Sequence, residues 1–165
     1  MLILIRSRQE GPDMFDPTRL AIPVLAASAP PPTRAAQVTI AINAAADIVI
    51  ARQHGRQLTL ESGCSSAEAT LVATIISELA RNIVQYAKTG EISLEKARKA
   101  HAHGIRIVCR DSGPGIADAQ RALGGGYSTS GGLGMGLSGV RRLVDEFDLD
   151  TGSSGTTVTV TKWLC

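Results

Sequence analysis

Gly104-Ile105-Arg106-Ile107-Val108-Cys109-Arg110-Asp111-Ser112-Gly113-Pro114-Gly115 sets the reading of the chain. Ile105, Ile107 and Cys109 recur at every second position, the period of a strand with one buried face. The strand ends at Arg110 and Asp111 follows it, which places a carboxylate at the rim of a sheet. There it can accept a hydrogen bond from the exocyclic amine of a base. Gly113 and Gly115 let the chain turn and let a flat ligand lie close. The same five residues are good turn chemistry in any protein, so this stretch needs company before it implies a function.

Outward from it, the chain reads as a helical part followed by strands. Gln37 to Ile42 is a short strand, and Asn43 can cap a helix that Gly55 stops. Ser65 followed by Glu68 is a capping box opening a long helix to about Lys88. Val72, Ile75, Ile76, Leu79, Ile83 and Tyr86 form its apolar stripe. Glu91 to Lys96 alternates, with Ile92 and Leu94 on one face. Leu133 to Phe147 reads as a second helix, with Leu137, Val140, Val144 and Phe147 inward. Thr156 to Trp163 is a last strand, with Val158 and Val160 on one face. This order implies an α+β domain: a single-layer mixed β-sheet covered on one face by helices.

Composition narrows the function. The 165 residues suit one domain. Seventeen Lys and Arg against fifteen Asp and Glu leave a net charge of +2, too even for a dedicated electrostatic nucleic-acid binder. Aromatics are 3% of the chain, which argues against a base-stacking platform. Cys64, Cys109 and Cys165 are scattered, with no zinc spacing, and fit a reducing cytoplasm. No apolar run is long enough to span a membrane. Leu20 to Ala29 faintly resembles a secretory leader, but Pro23 interrupts it. Six of the seven prolines lie in the first 32 residues. Proline suits neither a helix interior nor a central strand, so residues 1–36 read as a flexible proline-rich extension and 37–165 as the folded domain.

Ten of the 17 glycines fall between Gly113 and Gly139. The run Ser130, Gly131, Gly132, Leu133, Gly134, Met135, Gly136, Leu137 leads into the second predicted helix, whose N-terminus favours an anion such as a phosphate. Gly134 to Gly139 matches G-x-G-x-x-G, yet neither a preceding strand nor an acid about 20 residues on accompanies it, so the dinucleotide fold is rejected. No GxxxxGK[ST] loop is present either. Glu78 and Asn82 are four apart and share a helix face. A carboxylate there can take a proton from a hydroxyl nucleophile, and an Asn carbonyl can join phosphates and water around Mg²⁺. Taken singly, the pair also reads as a solvated helix face. His101 and His103 sit in an inter-strand loop and read as solvated.

The blocks gain weight in combination. Glu78-Leu79-Ala80-Arg81-Asn82, Asp111-Ser112-Gly113-Pro114-Gly115, Gly131 to Leu137 and Gly155-Thr156-Thr157 occur in that order. This resembles the GHKL ATPase superfamily (the Bergerat ATP-binding fold) and, within it, the RsbT-type switch kinases of bacterial stressosome and partner-switching systems. The resemblance covers roughly Val38 to Trp163. It implies an ATP- and Mg²⁺-dependent protein serine/threonine kinase. Asn82 would hold Mg²⁺ against the ATP phosphates, and Glu78 would be the base. Asp111 would read the adenine amine, Gly113 and Gly115 would shape its pocket, and Gly132, Gly134 and Gly136 would line the phosphate loop. Thr157 would support the adenine end. Ala117 to Ser130 would be a short lid bearing Tyr127, Ser128, Thr129 and Ser130, with Arg121 as its nearest cation.

By the same resemblance the substrate is a STAS-domain antagonist, and a downstream effector such as a phosphatase is bound and activated on release, in the cytoplasm. No dimerisation helix pair bearing a phosphoacceptor His precedes the domain, which argues against a complete histidine kinase. A homodimer is compatible with the Ala-rich first helix. The rival readings are an anti-sigma factor of the same fold and a non-catalytic ATP-gated adaptor. The Tyr127 to Leu137 block weighs against the first and the presence of Glu78 against the second.

Overall fold

The computed structural model describes residues 3–7, 37–99, 102–124 and 136–164, the first five through their backbone alone. Six strands form one sheet: β1 (Ile3–Ser7), β2 (Val38–Ile42), β3 (Gly90–Lys99), β4 (Ala102–Asp111), β5 (Glu146–Gly152) and β6 (Gly155–Trp163). Their order across the sheet is β1-β5-β6-β4-β3-β2. All neighbours are antiparallel except β1 and β5, so the sheet is mixed. Helices α1 (Ala45–Leu60), α2 (Ser66–Asn82), α3 (Ala119–Gly124) and α4 (Gly136–Leu143) complete the layer pair. Ile42, Leu94, Ile107, Leu149 and Val160 point from the sheet into the same core as Val72, Ile76 and Leu79 of α2. The expected α+β sheet with one helix-covered face is the observed architecture.

Local rules account for most element ends. Ser65 Oγ accepts the Glu68 N–H at 3.2 Å and Glu68 Oε2 accepts the Ser65 N–H at 2.7 Å, the capping box expected at the head of α2. The regular helix stops at Asn82 rather than Lys88. A π-helical turn over Ile83–Ala87 follows, closed by the Lys88 N–H on Ile83 O at 2.8 Å. Such turns insert one residue into the ladder and swing the flanking side chains.

Four expectations need correction. Gly55 does not end α1; it is buried in mid-helix, where a Cβ would run into the Ile76 side chain, so it is there for close helix packing. The turn out of α1 uses Gly63, at φ +84°. Asn43 is not the cap; the Asp47 carboxylate takes the Asn43 and Ala44 N–H groups at 2.8 and 2.9 Å. The helix expected to reach Phe147 ends at Leu143, and Glu146–Gly152 is strand β5. Its alternation of Phe147, Leu149 and Thr151 inward has period two, and Asp145 anchors its start by accepting the Trp163 N–H at 2.7 Å. Finally, within the expected flexible extension, Ile3–Ser7 adds to the β5 edge. Those five residues precede the first proline, so their backbone donors are free for a ladder. Residues 8–36, with all six early prolines, lie outside the described residues.

The β5–β6 hairpin turns through Ser153 and Ser154, and Gly155 takes φ +133° with its α-carbon against the Asp111 carbonyl. No L side chain fits there without moving the end of β4. Gly155→Val is expected to cost about 1–3 kcal/mol, from a left-handed backbone position and the clash. Urea unfolding of the variant measures it; an unchanged midpoint would show that the hairpin yields freely.

Candidate active site

One end of the sheet and one face of α2 enclose a cavity of about 270 Å³. Its floor is Leu79, Ile83, Cys109 and Val158; its rim carries Asn82, Asp111, Gly115 and Thr156; Gly136 and Leu137 close it from α4. The interior is apolar and the polar groups sit at the edge, which suits a flat heteroaromatic ring read along one side.

Each rim group has a cause in the fold. Asp111 is the last residue of β4, paired with Gly90 on one side and Thr156 on the other. Its Oδ1 accepts the Gly113 N–H at 2.9 Å, an Asx turn that fixes the carboxylate at the rim of the cavity. Gly113 is buried under the loop, where a Cβ would stand 2.7 Å from that of Ala87. Gly115 has φ +74°, and a Cβ there would strike the Gly152 carbonyl. The next N–H, that of Ile116, donates to Thr151 Oγ1 at 2.9 Å, and that hydroxyl lies 3.2 Å from Thr156 Oγ1. This buried hydroxyl pair ties the glycine turn to β5 and β6.

The Cys109 thiol is 4% exposed and lies 3.8 Å from the Leu79 carbonyl. Burial, and secondarily the negative charge of Asp111, push its pKa up. The folded state therefore holds the thiol proton more tightly than the unfolded chain does. The stability this gives is complete below the unfolded thiol pKa and declines as pH rises above it. At neutral pH, Cys109 should react with a thiol-labelling disulfide far more slowly than an exposed thiol does. Fast modification of the native protein would contradict that burial.

Glu78 and Asn82 stand apart in surroundings although they share a face. Asn82, at the end of α2, lines the cavity. Glu78 is 4% exposed, and its Oε1 accepts from Arg81 Nη1 at 2.8 Å. It is no solvated helix residue, and it faces a neighbouring groove between α1 and α2. Among the described residues no three His, Cys, Asp or Glu side chains could hold a metal by themselves. Mg²⁺ fits here only as a shared ion, with the Asn82 amide oxygen and ligand phosphates as its donors.

Thr157 requires correction. It lies on the opposite face of the sheet, beside Thr39, Arg110 and Asp150, while Thr156 lines the cavity. The alternation that put Val158 and Val160 inward also puts Thr156 inward, so the signal was present in the sequence. Thr151 and Ile116 were missed, because the helix expected through Phe147 concealed the strand that carries Thr151. Arg121 is exposed on α3, its N–H on the Asp118 carboxylate at 2.8 Å. Ser130, Gly131, Gly132, Leu133, Gly134 and Met135, with the lid hydroxyls of Tyr127, Ser128 and Thr129, lie outside the described residues. Gly136, at φ +47°, and Leu137 begin α4 at the mouth of the cavity.

The chain is similar in sequence to a known family of ATPases. The profile of the histidine kinase-, DNA gyrase B- and HSP90-like ATPases matches residues 67–164. The serine/threonine-protein kinase RsbT of Bacillus subtilis (strain 168) is 46% identical over 119 residues, 72% of this chain and 90% of the relative. The solved Mycobacterial sensor histidine kinase MprB superposes with a TM-score of 0.45 at 16% identity, over 58% of this chain and 72% of that one.

Proposed function

From a chain that belongs to the histidine kinase-, DNA gyrase B- and HSP90-like ATPases, and within them to the RsbT-type serine/threonine kinases, we propose a Mg-ATP-dependent kinase whose substrate is a STAS-domain antagonist. The observation that carries the reading is Glu78. A buried carboxylate one helical turn from the Asn82 amide, beside a cavity shaped for a base, fits a base placed for transfer. A non-catalytic adaptor has no use for it.

The chain's own groups divide the work. Asp111 Oδ2 accepts from the adenine amine, and Gly113 and Gly115 let the ring lie against backbone. The Asn82 amide oxygen would hold Mg²⁺, which would neutralise charge on the phosphates. A Ser or Thr oxygen of the partner forms a bond to the γ-phosphorus while the bond from that phosphorus to the β,γ-bridging oxygen breaks. ADP leaves, and Glu78 accepts the hydroxyl proton. Such transfer depends mostly on positioning and charge neutralisation. The phosphate adds about −1.5 to −2 charges to the partner. That charge releases the kinase to bind and activate a downstream effector such as a phosphatase, in the cytoplasm. No helix among the described residues is long and apolar enough to cross a membrane.

The test is direct. Purified chain, Mg-ATP and the STAS-domain protein encoded nearest its gene should yield phosphate on one Ser or Thr of that partner. A stable complex with no transfer would favour sequestration of a partner, as in an anti-sigma factor.

A further inference from the structure

The groove that Glu78 faces lies outside the nucleotide cavity and encloses about 300 Å³ between α1 and α2. Arg52 and Arg56 of α1 face Thr74, Ser77, Glu78 and Arg81 of α2 across it. At 3.6 residues per turn, Asn82 is about 40° from Glu78 around α2 and Arg81 about 60° the other way. Glu78 is thus the ridge between two sites, one shaped for a base and one lined with arginines.

Charge decides what the second site can hold. Three arginines surround one carboxylate, and Arg81 is the one paired with it. Arg56 Nη1 donates to Thr70 Oγ1 at 3.0 Å, and neither Arg52 nor Arg56 has an ion pair among the described residues. The groove therefore keeps two uncompensated guanidiniums. The adjoining ridge of α1 exposes two large apolar side chains, Val49 at 51% and Leu60 at 42%. They lie seven residues before Arg56 and four after it, so all three share one side of the helix. Cationic groups flanked by apolar anchors are the composition of a protein-binding surface.

Resting on the kinase reading, we infer that the α1–α2 groove receives the acceptor segment of the protein substrate, a Ser or Thr flanked by Asp or Glu. Arg52 and Arg56 pair with the flanking carboxylates and orient the hydroxyl toward Glu78. They are specificity-determining residues rather than catalytic ones. The acceptor oxygen then meets the γ-phosphorus beside Glu78, on the side opposite the bond to the leaving oxygen, as in-line transfer needs.

The experiment uses two fluorescein-labelled peptides, one with a serine flanked by glutamates and one with lysines in their place, titrated by anisotropy against the whole chain. Wild type should prefer the glutamate peptide by about tenfold or more, and the preference should shrink with added salt. Arg52→Glu with Arg56→Glu should abolish it, the milder Arg52→Gln with Arg56→Gln should reduce it, and ATP affinity should stay unchanged in both. Equal binding of the two peptides by wild type, or undiminished preference in the charge-reversed variant, overturns the inference. Phosphate transfer to the STAS-domain protein is read in parallel. Peptide preference without transfer refutes the kinase reading and leaves the acidic docking groove standing. Transfer with a KM indifferent to Arg52 and Arg56 refutes the groove and leaves the kinase.

Discussion

Glu78→Gln lowers the rate of phosphoryl transfer by about 10²–10⁴-fold, the span that a positioned general base contributes, while ATP binding stays at its wild-type affinity. The substitution is nearly isosteric, and the amide oxygen of Gln can still accept from Arg81 Nη1, now at 2.8 Å from Glu78 Oε1. Packing at a site 4% exposed is therefore retained while the ability to take a proton is lost. The competing account makes Glu78 only the buried half of an ion pair. On that account Glu78→Gln and Arg81→Ala should both lower stability, and both should affect transfer only through it. Single-turnover transfer and urea unfolding, measured on both variants, separate the two. A Glu78→Gln protein of normal stability and normal rate removes the base assignment.

The residues that were legible in the sequence are those whose role is local. The capping box of α2 needs only Ser65 and Glu68, and it formed as written. Asp111 at a strand end followed by Gly113 and Gly115 also depends on neighbours alone, and it became the rim of the cavity. The misreadings come from partners distant in sequence. Gly55 looks like a helix stop until Ile76 is laid against it. Val140 to Phe147 carries helical spacing up to Val144 and strand alternation after it, and the backbone bonds from Asp145 and Trp163 settle where one gives way to the other. Ile3–Ser7 is a strand because β5 has an edge to offer, a fact about the sheet and not about those five residues. Thr151 and Thr156 meet only once that sheet exists. The groove cations Arg52 and Arg56 lie some 20 residues before Glu78 in a helix that no motif marks.

Asp111→Asn separates recognition from folding at one atom. Asp111 has one observed role and one proposed: Oδ1 closes the turn with the Gly113 N–H at 2.9 Å, and Oδ2 is the proposed acceptor of the adenine amine. Asn keeps the first, since its carbonyl oxygen can accept that N–H. It replaces the second with an amide NH₂, a donor set against the donor amine of adenine. A charge-assisted hydrogen bond of about 1.5–3 kcal/mol becomes an unfavourable contact, so ATP affinity should fall by about 10- to 100-fold. The urea midpoint should hardly move, because the turn and the Thr156 pairing are intact. GTP is the informative control: its base presents a carbonyl where adenine has the amine, so the same substitution should weaken GTP less than ATP or improve it. Equal losses for both nucleotides would mean that Asp111 acts through the loop. An unchanged ATP affinity would leave the carboxylate as a turn residue and require another group on the cavity rim to read the base.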